Sequence, residues 1–229
     1  MCAQHGANVG VNYLHSDSAA EELRERFPKN VELLRFDVGN YEQAKLGILR
    51  FIRRYRTLDA LVNNAGIVRP HLAISQQHLT RANEEFRVNT FGVMCCTQAV
   101  LPCMVKNGCG IIINVSSCAV TQPVPGQASY AASKAAVEAY TRAIAVEYAR
   151  KGVRCVCIRL GPVNTDMLRE TVGDVGTTTI MPQRTLVNRL TAPSEIAEIV
   201  RALIVGPIGL ATGSTLDFTS GYSLGKEVK

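Results

Sequence analysis

Residues 110–160 read GIIINVSSCAVTQPVPGQASYAASKAAVEAYTRAIAVEYARKGVRCVCIRL. Ile111 to Val115 is a short apolar run of strand length, and Val153 to Leu160 is a second one, rich in β-branched residues and cysteine. Between them the segment from Ser129 to Gly152 carries the alanine, glutamate and lysine content of a long helix. Strand, helix, strand predicts a parallel α/β unit, and apolar runs alternate with amphipathic stretches along the rest of the chain.

Working outward, strands are expected at Val9–Tyr13, Val31–Phe36, Ala60–Asn63 and Thr215–Phe218, with helices between them. The length of 229 residues fits one α/β domain, a Rossmann-like doubly wound parallel sheet. No run of eighteen apolar residues occurs, so no membrane span is expected. The net charge of +6 has its densest source in Arg50, Arg53, Arg54 and Arg56. These follow a helical stretch from Tyr41 and read as its solvated face and last turn, where cations suit the helix dipole. Without interleaved aromatics or a recognised motif they do not point to nucleic acid.

Eight cysteines show no metal-ligand spacing. Cys95 and Cys96 are adjacent, Cys155 and Cys157 share one face of a strand, and all read as small core residues in a reducing compartment, cytoplasm or organelle matrix. His5, His15, His71 and His78 are scattered and form neither a triad nor a metal site.

The chemistry lies in four residues. Ser117 ends the strand-like run GIIINVSS, which places its hydroxyl at the carboxyl edge of a sheet, where open α/β folds bind ligands. Tyr130 and Lys134 are four apart on a helix and share a face, so an ammonium would sit near a phenol and favour its ionisation. Tyr130 is thereby a candidate general acid. Asn89, in VNTFG, is the fourth, with helix-interior bonding to local backbone as its alternative.

This ordered set resembles the short-chain dehydrogenases/reductases, over nearly the whole chain. Asn89, Ser117, Tyr130 and Lys134 match that family's catalytic residues, and NNAG at Asn63 to Gly66 looks like its signature after the fourth strand. The resemblance implies that Tyr130 donates a proton, Lys134 lowers its pKa and holds the nicotinamide ribose, Ser117 orients a carbonyl, and Asn89 holds a water. It implies cofactor contacts from Asp37 and Val38 in RFDV, from Asn63, Ala65 and Gly66, and from Gly161, Pro162 and Thr165 in LGPVNTDM. The order Leu160, Gly161, Pro162 departs from the family's Pro-Gly, and Thr219 and Ser220 replace the Asp and first Gly of its last turn. GANVGVNYLHSDSAAEEL and NRLTAPSEIAEIV are most similar to 3-oxoacyl-[acyl-carrier-protein] reductases of fatty acid biosynthesis, with sugar, steroid and xenobiotic reductases close behind. A small-molecule or carrier-protein-bound carbonyl substrate and a homotetramer follow from the resemblance, with no nucleic-acid or membrane partner.

The sequence opens at MCAQHGANVGVNY, read as a helix end, a stop at Gly6 and a strand. The first strand and the glycine-rich phosphate turn of a dinucleotide site are therefore expected to be missing, and the strand from Val9 to face a gap in the middle of the sheet. An internal start of a longer protein is the favoured explanation, a fragment and a divergent non-binding protein the alternatives. Reading in frame upstream of Met1 is expected to show a strand and TG-x3-GIG within about 30 residues.

Around Asn12, Tyr13, Leu14 and His15 no acid stands where one would select NAD(H), so NADP(H) is favoured; Asp17 reads as a helix cap. Lys106, Arg150 and Lys151 are expected to flank the active-site helices and to dock an acidic carrier. Met167 to Leu190 reads as a surface loop, with Arg169, Met181 and Arg184 lining the substrate pocket as its alternative.

Overall fold

A computed structural model describes residues 1–69, 72–76, 78–206 and 209–224; His71 lies outside them. Among the described residues six parallel strands alternate with helices: β1 Val9–Tyr13, α1 Asp17–Arg26, β2 Val31–Arg35, α2 Tyr41–Tyr55, β3 Ala60–Asn63, α3 Leu79–Phe86, α4 Gly92–Asn107, β4 Gly110–Ser117, α5 Ala128–Tyr148, β5 Val153–Leu160, α6 Asp166–Val175, α7 Met181–Gln183, α8 Pro193–Val205 and β6 Thr215–Phe218. The predicted strands all form, β2 one residue shorter and β4 longer at both ends.

The sheet is divided. Among the described residues β1 pairs only with β2, while β3, β4, β5 and β6 form a separate four-stranded sheet in that order. The gap expected beside β1 is thus present as a break between two parallel blocks. Val62 on β3 is exposed, and with Val9 and Val11 of β1 it faces a shared cavity rather than a neighbouring strand.

Within the larger sheet the pleat sorts side chains by parity. Ile112, Cys155 and Cys157 face α4 and α5, whereas Ile111, Ile113, Val115, Val156 and Ile158 face α8 through Leu203 and Ile199. Both faces are covered, which explains runs that are apolar throughout rather than alternating. All eight cysteines are free thiols. Polar residues in this core are bonded to one another: Asn63 donates to Asn114 at 2.8 Å, and Asn114 donates to Thr141 at 2.9 Å.

Two helix ends follow their sequence signals and one does not. Asn40 caps α2 by accepting from Gln43 N, and Gly108 ends α4 at φ 65°. Asp17 is not a cap: Ser16 holds that position, and Asp17 sits in the first turn, 3.4 Å from Arg35. Arg50 and Arg54 are exposed as expected, but both reach the buried Glu32 on β2, at 3.1 and 3.5 Å, so the arginine face of α2 also neutralises a carboxylate.

The helical run Leu79–Asn107 is apolar and long enough to cross a membrane by length and composition, although it has no continuous apolar stretch of eighteen. α4 instead packs in the core: Val93, Val100, Leu101 and Met104 are buried. Met167 to Leu190 is a second departure from expectation. It is largely helical, in α6, a π-turn at Gly176–Ile180 and α7, because Met167, Leu168, Thr171, Val172 and Met181 supply an apolar side that turns to the cavity.

Candidate active site

β4 delivers Ser117 as its last residue, and the loop that follows carries the chain to α5, where Tyr130 is in the first turn and Lys134 one turn on. The Ser117 hydroxyl accepts from Ala119 N at 3.2 Å and lies close enough to the Tyr130 phenol to favour its ionised form. Lys134 is buried, with its ammonium donating to the Val115 carbonyl at 2.9 Å. Asn89 lies in a π-turn, Arg87–Phe91, between α3 and α4. Such an insertion rotates the helix past it and occurs often at functional positions.

The Asn89 side chain is a clamp. Its oxygen accepts from Ile67 N at 2.8 Å, and its amide donates to Ile67 O at 2.9 Å and to Ser133 Oγ at 3.1 Å. It thereby fixes the loop after β3 against α5. A Cβ on Gly66 would lie 3.2 Å from Asn89 Oδ1 and 3.3 Å from Lys134 Nζ, so a larger residue would press on both side chains.

Burial sets the electrostatics. It holds Tyr130 above its ordinary value, against the opposing pull of the Ser117 hydroxyl, with Cys118 and Glu85 adding to the rise. It also draws Lys134 down to about 8. The lowering of Tyr130 anticipated from Lys134 is not what prevails here: removing the phenolate from water costs more than the neighbouring groups return. Tyr130 therefore stays protonated at neutral pH.

Ser117, Tyr130 and Lys134 line one apolar cavity of about 880 Å³, together with Gly66, Gly161, Pro162 and Thr165, whereas Asn89 does not reach it. Its floor extends into the break between the two sheets, reaching Val9, Val11 and Val62. Gly161 is required by a close approach, since a Cβ there would lie 2.6 Å from the Thr219 carbonyl oxygen. Thr165 caps α6 by accepting from Leu168 N. At the end of β6, Ser220 adopts φ 55° and Gly221 φ 77°, so the turn keeps its left-handed backbone despite the serine.

Other expected contacts lie elsewhere. Asn63 is turned into the core, and its neighbours Asn64 and Gly66 line the cavity instead, while Ala65 does not. Asp37 is taken by Arg87 at 2.6 Å and by Gly39 N, and Val38 packs against Gly92. Neither lines the cavity. Arg169 and Arg184 also stay outside it, bonded to Asp166 and Asn164 and to Tyr222 respectively.

Lys106, Arg150 and Lys151 are exposed, but at the wrong end of their helices. At 1.5 Å per residue, Lys151 stands roughly 30 Å along α5 from Tyr130. The sequence reading missed Glu85, which is buried and accepts from Arg69 N and Ser129 Oγ beside Tyr130. No group of three potential metal ligands occurs among the described residues.

Residues 1–223 match a family model described as enoyl-(acyl carrier protein) reductase. A 3-oxoacyl-[acyl-carrier-protein] reductase of Chlamydia muridarum is 30% identical over 97% of this chain and 90% of its own length. The chain belongs to the short-chain dehydrogenase/reductase family. An acetoacetyl-CoA reductase of Shinella zoogloeoides is 32% identical over 94% of the chain and 88% of its own length. A gluconate 5-dehydrogenase of Burkholderia cenocepacia, solved with NADP and tartrate, superposes with a TM-score of 0.89 at 28% identity, over 98% of this chain and 88% of that one. Membership makes the chain an oxidoreductase of this family, similar to the 3-oxoacyl reductases. Its α/β fold is the Rossmann-like one of these relatives.

Proposed function

We propose that the chain is an NADP(H)-dependent reductase of a carbonyl substrate, a 3-oxoacyl thioester or a similar ketone, with Tyr130 as general acid. The observation that carries this reading is the Tyr130 phenol set beside Ser117 and Lys134 in the wall of one apolar cavity. The nicotinamide end of a dinucleotide fits here: Gly66 and Gly161 are cradles that a Cβ would fill, and Lys134, Pro162 and Thr165 line the same wall. When bound, that group supplies the hydride.

The residues of the chain manage charge and position. Ser117 and Tyr130 hold the carbonyl oxygen, and as negative charge develops on it the phenol gives up its proton there. Lys134, charged below pH about 8, offsets the charge left on Tyr130. The apolar walls keep water away from the reacting carbon. A preference for NADP(H) is supported by Asn12 to His15, which end β1 without an acid to repel a 2′-phosphate. Similarity to a 3-oxoacyl-[acyl-carrier-protein] reductase supports the thioester class.

A second reading, a non-catalytic partner subunit in a reductase oligomer, is favoured by one observation. Among the described residues the sheet is split between β1 and β3, the place from which a strand would lead into the turn that receives the dinucleotide's pyrophosphate. Titration with NADPH, followed by nicotinamide fluorescence, separates the two. Saturable binding together with oxidation of NADPH by acetoacetyl-CoA supports the reductase, and no binding up to millimolar cofactor overturns it.

A further inference from the structure

Glu138 is a buried carboxylate that no step above uses. It sits one helical turn beyond Lys134 on α5, and Arg159 grips it with two bonds, Nε to Oε1 at 3.0 Å and Nη2 to Oε2 at 2.8 Å. Ser116, the residue before Ser117, donates to Oε1 at 2.8 Å and lies 3.5 Å from the Lys134 carbonyl. Arg159 also reaches Asp217 at 3.4 Å, and Asp217 accepts from Thr219, whose backbone packs against Gly161.

One carboxylate thus joins the three elements that carry the site. α5 brings Tyr130 and Lys134, β4 brings Ser117, and β5 runs from Arg159 into the Gly161–Pro162 turn. Glu138 does not reach the cavity, and the Lys134 ammonium points away from it, to Val115. Its charge is matched by Arg159 with both carboxylate oxygens engaged, the geometry in which a buried pair fixes orientation.

We infer that Glu138, clamped between Arg159 and Ser116, is a positioning residue that sets the Tyr130–Ser117 distance and the register of the Gly161–Pro162 turn against α5. Glu138→Gln keeps the shape but replaces one acceptor of the arginine fork with a donor that opposes Arg159. α5 then shifts relative to β4, and the separation of Tyr130 from Ser117 grows.

The inference rests on the catalytic reading of Tyr130, so two readouts are needed. In turnover, Glu138→Gln should lower kcat roughly tenfold or more with KM changed less than threefold, the response to sub-ångström misplacement. In the full-length chain labelled with 13Cζ-tyrosine, the Tyr130 resonance, assigned from Tyr130→Phe, should move toward its position in Ser117→Ala. Ser116→Ala, which leaves the ion pair intact, should move it the same way by less and serves if Glu138→Gln does not fold. An unmoved Tyr130 resonance in the folded variants, or a lower melting temperature with unchanged kcat, overturns the inference. Full activity in Tyr130→Phe would instead overturn the catalytic reading and leave the NMR result to judge Glu138.

Discussion

Replacing Lys134 with methionine should make the protein more stable while removing its activity. The Lys134 ammonium is buried, and its pKa falls from 10.5 to about 8. A fall of this size corresponds to roughly 3 kcal/mol of stability withheld by burying the charge. The sign follows from the direction: the folded state binds this proton less tightly than the unfolded state does. The penalty is complete below pH 8, shrinks as pH rises from about 8 to 10.5, and vanishes above that. Methionine has similar length, and its only loss is the 2.9 Å bond to the Val115 carbonyl, worth about 1 kcal/mol. The net gain is about 2 kcal/mol, or a melting temperature about 4–8 °C higher for a chain of this size. Calorimetry of Lys134→Met and the parent at pH 7 and pH 10 measures it. A variant that melts at or below the parent at pH 7, or a difference that does not narrow by pH 10, would refute the reasoning.

The other expectations concern the site and its surroundings. Tyr130→Phe, which keeps the ring and removes the proton, should lower kcat for ketone reduction by roughly a hundredfold or more in steady-state assays, with the fold intact by circular dichroism. The rate of reduction should be level up to about pH 7 and decline through pH 8 as Lys134 loses its charge, because Tyr130 remains protonated well above that; a pH–rate profile that rises through pH 8 counts against it. Gly161→Ala should cost roughly 1–3 kcal/mol in urea denaturation, since the added carbon meets the Thr219 backbone and not a side chain that can move. Lys151→Glu should leave KM unchanged for both a carrier-bound and a small thioester substrate, as the residue lies at the far end of α5; a rise for the carrier-bound substrate alone would restore the docking role.

The chain's own order of residues determined a good deal. The apolar runs Ile111–Val115 and Val153–Leu160, separated by one long helix, are buried parallel strands covered on both faces, and the shorter runs form strands where they stand. Tyr130 and Lys134 are local neighbours, so helix geometry alone placed them together, and Ser117 was fixed at the edge by the end of its strand.

What tertiary structure decided was every relation between distant segments. Asn63 and Asn64 are indistinguishable in NNAG, and only strand parity against β4 turns the first toward Asn114 and the second to the cavity. Asp37 is withdrawn by an arginine fifty positions away, and Glu138 is held by one twenty-one positions on. The polar sequence of Met167 to Leu190 hid a helix whose apolar side is meaningful only beside the cavity it lines. The balance at Tyr130 was likewise out of reach, because sequence names the nearby charge but not the depth of burial, and here burial wins.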